Sequence, residues 1–219
     1  MPNWVDINFK VKGAQDELKR FVAEVRTLPT EETKRPSAFD FNRFIPMPAS
    51  LDVVSGTVGD AGYAVFYGNP QEALASVYNW SKATTIEQMR EDVLARHPRA
   101  REIADVYHDN IQKYGHATWY DWCNENWHTK WNACDPSVKW DNDDLEVFFQ
   151  TAWGFPSPII EMMIEKFPEL VFTGTADEEG GHFYLDFTGT AGQFNTEEYS
   201  GIREGGPYDY RDEDEEDDE

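Results

Sequence analysis

The sequence predicts an α+β fold: a ferredoxin-like, split β-α-β antiparallel sheet with a helical insertion and a disordered acidic C-terminal tail. Three observations predict it. A strand-helix-strand pattern opens the chain, a second lies near its end, and purely helical spacing separates them, which favours a sheet with helices on one face over a parallel doubly wound one. We expect a single domain over 1–200, with the insertion at about 69–115, the ferredoxin-like C-terminal part at about 120–190 and a disordered tail over 201–219.

The first strand is read from Trp4 to Val11, where Val5, Ile7, Phe9 and Val11 alternate with Asp6, Asn8 and Lys10, the period of a half-buried strand. After Gly13 the apolar residues Leu18, Phe21, Val22 and Val25 fall on one helical face, ended before Pro29. Phe39-Asp40-Phe41-Asn42-Arg43-Phe44 reads as a short strand halted by Pro46 and Pro48. Glycines at 56, 59, 62 and 68 predict a flexible loop with a short Tyr63–Tyr67 strand. That stretch lacks the Lys-Ser or Lys-Thr of a phosphate-binding loop.

Three helices follow. Asn69-Pro70 starts one bearing Leu74, Val77 and Tyr78, and Thr84-x-x-Glu87 makes a capping box for Ile86, Met89 and Val93. Beyond Pro98 the face Ile103, Val106, Tyr107, Ile111 and Tyr114 closes at Gly115. Leu145, Val147, Phe149 and Thr151 alternate in a later strand. Ser157-Pro158 caps a helix with Ile160, Met163, Ile164 and Phe167, ended by Pro168, and Leu170–Thr175 and His182–Thr188 form a hairpin around Asp177–Gly181.

Charge is the strongest compositional signal. Forty-two Asp and Glu against 19 Lys and Arg give −23, which disfavours nucleic acid and anionic membranes as partners and favours a basic protein. Asp209–Glu219 holds nine acidic residues and one arginine, −8, leaving −15 for the rest. A folded surface of roughly 10,000 Å² would carry about one net charge per ~450 Å², against about one per ~110 Å² on duplex DNA. Imitation of DNA therefore requires the carboxylates to gather on one face. The acidic residues expected to meet a partner are Asp121 and Glu125, then Asp141, Asp143 and Asp144, then Asp177, Glu178 and Glu179, and Asp212, Glu213 and Asp214 in the tail. No run of about 20 apolar residues is present and the first residues have no basic leader, so a cytoplasmic location in a host cell is expected.

Catalytic and metal chemistry find little support. Cys123, His128 and Cys134 have a C-x4-H-x5-C spacing that matches no standard zinc knuckle, and Asp141-Asn142-Asp143-Asp144 lacks the glycine and final glutamate of a calcium loop. It reads as a polar loop leading into a strand. No nucleophile elbow accompanies a Ser-His-Asp or Cys-His set. We assign no catalytic residue, no metal and no cofactor.

Six of eight tryptophans lie between Trp119 and Trp153. We expect Trp119, Trp122, Trp127, Trp131 and Trp153 to form a structural aromatic cluster, with Asn, Thr and Lys between them as local hydrogen-bonding partners. The segment Tyr120-Asp121-Trp122 to Glu125-Asn126-Trp127-His128-Thr129-Lys130-Trp131 joins three other stretches: Met1-Pro2-Asn3-Trp4, Phe39-Asp40-Phe41-Asn42 to Ile45-Pro46-Met47-Pro48, and Thr151-Ala152-Trp153 with Pro156 and Pro158. Together they resemble a YubB-like family of phage- and plasmid-encoded proteins that carry a ferredoxin-like domain, over most of residues 1–190. The family tends to have glycine where this chain has His128. The resemblance implies a fold and a mobile-element origin and no catalytic residues.

Charge and resemblance together predict a non-enzymatic phage or plasmid accessory protein that binds a basic host protein through an acidic surface. Its role would be that of an inhibitor or nucleic-acid-mimicking decoy against a host defence or nucleic-acid-binding factor. Two other classes compete: a small-molecule or nucleotide-handling enzyme using a tryptophan-rich pocket, and a virion or assembly component. Oligomeric state is left open.

Overall fold

A computed structural model describes residues 2–30, 36–69 and 81–210. The chain divides into a sheet unit, Met1–Pro46 with Cys123–Glu219, and a helical unit, Met47–Trp122.

The sheet unit holds six strands, β1 (Trp4–Lys12), β2 (Cys134–Asp141), β3 (Asp144–Ala152), β4 (Val171–Glu178), β5 (Tyr184–Thr190) and β6 (Gln193–Tyr199). Their order is β2-β3-β1-β4-β5-β6, with every neighbouring pair antiparallel. β1 lies between β3 and β4, and β3 between β1 and β2. Helix α1 (Gln15–Val25) follows β1, and the helix Ser157–Lys166, numbered α6 below, joins β3 to β4. The result is the predicted split β-α-β plan, extended by β5 and β6.

Alternation along β1 does what the sequence requires: Val5, Ile7, Phe9 and Val11 are buried, and Asn8, Lys10 and Lys12 are exposed. Phe9 is the centre of the core, with ring centroids of Phe187, Phe39, Phe149 and Phe172 at 5.7, 6.2, 6.3 and 6.5 Å. Burying one such side chain contributes about 1.5–3 kcal/mol. Leu18, Phe21 and Val25 of α1 and Ile159, Ile160, Met163 and Ile164 of α6 are buried as well. Phe21 meets Phe172 of β4 at 5.9 Å and Phe167 at 5.2 Å. A Cβ on Gly189 of β5 would stand 2.5 Å from Ile164. Close approach of α6 to the sheet thus requires glycine there.

Several sequence expectations change. Phe39–Phe44 is not a strand: Phe41–Arg43 is a 3₁₀ turn, because the Asp40 carboxylate accepts the Asn42 N–H at 3.0 Å and curls the chain. Asp40 is buried together with Phe39 and Phe41, so burial does not follow a period of two. Strand β2, not expected around Pro136, pairs with β3 through a two-residue turn at Asn142-Asp143, with Asn142 at φ 55. Strand β6 was also not expected. Ala191 at φ 52 and Gly192 at φ 74 make the two-residue turn that joins it to β5, the primed geometry that suits sheet twist.

In the helical unit the glycine-rich stretch is helix α2 (Thr57–Phe66) and not a loop with a strand. Its glycines are packing positions, since a Cβ on Gly59 would stand 2.2 Å from the Tyr107 ring and one on Gly62 2.4 Å from the Ala100 carbonyl. The helix expected after Asn69-Pro70 lies outside the described residues. Helix α3 (Ile86–Arg96) begins one residue later than the expected box, with Thr85 accepting from Gln88 N and Gln88 accepting from Thr84 N. Met89 and Val93 are buried as expected. Helix α4 (Ala100–Tyr114) ends at Gly115 with φ 79, but it buries Ala100, Ala104, Tyr107 and Asn110 and leaves Val106 exposed. Small residues let α2 lie close, which rotates the buried face away from Ile103 and Val106. Helix α5 (Trp119–Asn126) follows.

Candidate functional site

Charge is divided unevenly. Residues 47–122 contain 10 acidic and 6 basic residues, a net −4, whereas 1–46 with 123–219 contain 32 and 13, a net −19. The sheet unit is therefore where an acidic site has to be sought.

One face of the sheet is exposed along β1, at Asn8, Lys10 and Lys12. The registers set Lys10 beside Glu146 and Thr173, Asn8 beside Phe148 and Thr175, and Asp6 beside Gln150 and Asp177. A cavity of about 520 Å³ opens here, lined by residues that include Asn8, Lys10, Lys139, Phe148, Thr175 and Asp186. Lys10 bridges Asp141 and Glu146, both at 3.2 Å, and Lys12 meets Asp144 at 3.2 Å. Hydrogen bonding to Glu146 and then Asp141 raises the Lys10 pKa and keeps its ammonium charged. The face is a checkerboard of both signs, not a stripe of carboxylates.

The expected acidic residues fall into separate groups. Asp141, Asp143 and Asp144 surround the β2–β3 turn. Asp177, Glu178 and Glu179 lie toward the other end of the strands, and since Asp144 is level with Lys12 and Asp177 with Asp6, strand rise separates them by about 20 Å. Asp177 and Glu178, expected on a contact surface, are buried and engaged internally. Arg203, from the segment after β6, reaches Asp177 at 2.6 Å, Asp186 at 2.8 Å and the Leu185 carbonyl at 2.8 Å, over the Tyr184 ring. Glu178 accepts from Asn3 Nδ2 at 2.6 Å and from the His182 N–H at 2.9 Å. Burial pushes its pKa up, but the bonds from His182 and Asn3 outweigh that and hold it below its ordinary value. Glu179 is exposed and accepts the Trp4 N–H at 2.8 Å. Asp121 and Glu125 are exposed, one turn apart on α5. Asp212, Glu213 and Asp214 lie outside the described residues. The sequence reading missed Arg203 as the organiser of the Asp177 end, and Glu197 and Glu198 on β6, because a polar strand of period 2 carries almost no hydrophobic signal.

The tryptophans do not behave as one group. Trp127 is 3% exposed, gives its indole N–H to the Ile45 carbonyl at 2.9 Å and meets Phe41 edge-on at 5.6 Å. Trp122 is also buried, Trp119 and Trp131 are half-buried, and Trp153, expected in the cluster, is 56% exposed. Trp153 leaves β3 at φ 74, with its N–H bound to the Asn3 carbonyl, and this turns the ring outward. Trp131 packs beside Trp4 at 6.1 Å under the Lys130 ammonium. His128 takes φ 58, the left-handed conformation that glycine would take without strain, with Ser157 Oγ at 2.9 Å from its Nδ1. Thr129 both donates to the Ala152 carbonyl and accepts its N–H, as a strand residue would. Asn132 donates to Asp40 at 2.6 Å and accepts the Phe41 N–H. Among the residues of the sheet unit, this segment clamps the Phe39–Phe44 turn and the end of β3.

Nucleophilic and metal chemistry have no assembled site among the described residues. No three His, Cys, Asp or Glu side chains are grouped to hold a metal ion. Burial pushes the Cys123 thiol up to about 12, and burial and Asp135 raise Cys134, so both are protonated near neutral pH. No described helix is long and apolar enough to cross a membrane.

Residues 126–218 match a family described as "Ferredoxin-like domain in Api92-like protein". The matched region contributes β2 to β6 and α6, and the N-terminal segment contributes β1 at the centre of the sheet. Among solved structures, the chain is similar to the crystal structure of a protein api92 from Yersinia pseudotuberculosis, with 11% identity and a TM-score of 0.45, covering 93% of this chain and 100% of that one. No curated protein matches. Residues 126–218 thus resemble a ferredoxin-like domain of the Api92-like kind.

Proposed function

We propose that this chain is a non-enzymatic accessory protein of a phage or plasmid that binds a basic host protein through the acidic surface of its sheet unit, as an inhibitor or decoy. One observation carries this reading: −19 of the formal −23 lies on the sheet unit and its tail. A field of one sign steers an oppositely charged partner and repels polyanions. The open sheet face supports a general acidic binder better than a replica of DNA, because Lys10, Lys12 and Arg203 interrupt its carboxylates. A tryptophan-walled ligand pocket is the weaker reading, since Trp127 is packed on Phe41 with its N–H already donated.

The test is a pull-down from host lysate at ~50 and ~500 mM salt, where screening lengths fall from about 14 to about 4 Å. Captured proteins are expected to be basic and to be released by the higher salt. Capture of neutral or acidic proteins that stay bound at ~500 mM would overturn the proposal.

A further inference from the structure

The two edges of the sheet are built differently. On β2 the outer edge is broken by Pro136, by Asp135 at φ 47 and by a register shift between Cys134 and Ser137, which are devices that prevent pairing with another strand. Strand β6 has none of these. Its pairing with β5 is unbroken from Gln193 to Tyr199, and Asn195 to Tyr199 are all exposed.

Which backbone groups face outward follows from the turn. In a two-residue hairpin the residues flanking the loop, Thr190 and Gln193, form a hydrogen-bonded pair, so Asn195, Glu197 and Tyr199 also point their N–H and C=O at β5. Phe194, Thr196 and Glu198 therefore point theirs away, and among the described residues none of these groups has a backbone partner. Three donors and three acceptors stand in a row beside Glu197 and Glu198.

We propose that β6 is the docking edge for the basic partner, which adds an extended strand bearing lysine or arginine to Phe194, Thr196 and Glu198. The inference rests on the basic-partner reading above and gives it a place. Charge selects the occupant. A second copy of this chain would bring the Glu197 and Glu198 of both chains onto one ladder and set −19 against −19, whereas cationic side chains on the added strand would flank these carboxylates with opposite charge. Main-chain bonds would supply affinity and the alternating side chains specificity.

A seven-residue peptide of alternating lysine and valine tests this by calorimetry at ~50 mM salt, together with its fully N-methylated counterpart, which has the same charge and no backbone donors. Thr196→Pro is the matching change in the protein, since it removes an outward N–H that β5 does not use. Both changes are expected to weaken binding about tenfold or more, and the unmodified peptide should shift the amide resonances of Phe194, Thr196 and Glu198. If Thr196→Pro fails to fold, the two peptides on the unaltered chain still decide the matter. Equal affinity for both, lost at ~500 mM salt, would overturn the edge and leave the basic-partner reading standing. No binding of either peptide would overturn both.

Discussion

Asp40 is a buried carboxylate with three neutral partners among its hydrogen bonds, and replacing it gives the sharpest test of how the aromatic segment is held. Its oxygens accept from the Thr27 hydroxyl, from Asn42 N and Nδ2, each at 3.0 Å, and from Asn132 Nδ2 at 2.6 Å. Asp40→Ala leaves these donors without an acceptor in a largely dry site. At about 1 kcal/mol for each of the Thr27, Asn42 and Asn132 groups, the low end for buried unmet donors, the loss is about 3 kcal/mol. Asp40→Asn is different. Its carbonyl oxygen keeps the three bonds from Asn42 and Asn132, and its amide donates to the Thr27 oxygen, so only charge assistance is lost, about 1 kcal/mol.

Acid gives an independent check on the same residue. Burial pushes the Asp40 pKa up, but the bonds from Thr27, Asn132 and Asn42 outweigh it and hold the carboxyl below its ordinary value. A folded pKa below the unfolded one contributes stability that is complete above the unfolded value, about 4, and is lost as pH falls through the folded one. Urea unfolding followed by tryptophan fluorescence at neutral and acid pH should therefore show Asp40→Ala well below Asp40→Asn. The Asn variant should also lose less stability in acid than the unaltered protein. An Ala variant within about 0.5 kcal/mol of the unaltered protein, or an Asn variant with the same acid slope, would refute the reasoning.

Trp127→Ala should lower stability by about 3–5 kcal/mol, measured by urea unfolding, whereas half-buried Trp131→Ala should cost less than half of that. Equal losses would contradict the assignment of Trp127 as the anchor. Gly62→Ala should destabilise the helical unit by about 1–3 kcal/mol, because its Cβ would meet backbone rather than a side chain that can move. A raised melting temperature would count against close α2–α4 packing. Deleting Arg211–Glu219 removes −7 of −23 and should slow association with a basic partner several-fold while leaving dissociation unchanged. Faster dissociation, read by surface plasmon resonance, would make the tail a direct contact.

The sequence was most legible where one side of an element is apolar and the other polar. β1, α1, β3 and α6 follow from that contrast, and so does the split sheet they define. It was least legible where the contrast fails. Strand β6 is exposed on both faces beyond Phe194, so its period carries no hydrophobic signal and only the Ala191-Gly192 turn marks it. Helix α2 looks like a loop in sequence because glycine ordinarily signals conformational freedom, whereas Gly59 and Gly62 are there for lack of a side chain. The acidic residues illustrate a different limit. Asp177 and Glu178 look the same in sequence as Glu179, and only the arrival of Arg203 and Asn3 from distant positions, with His182 from the following turn, separates buried partners from an exposed one.

The central claim, that the acidic sheet unit holds a basic partner electrostatically, is tested most directly by the association rate of a captured host partner between ~50 and ~500 mM salt. With exposed charges screened beyond about 4 Å at the upper end, the rate is expected to fall steeply, by an order of magnitude or more, and affinity with it. A rate and affinity unchanged across that range would contradict the claim.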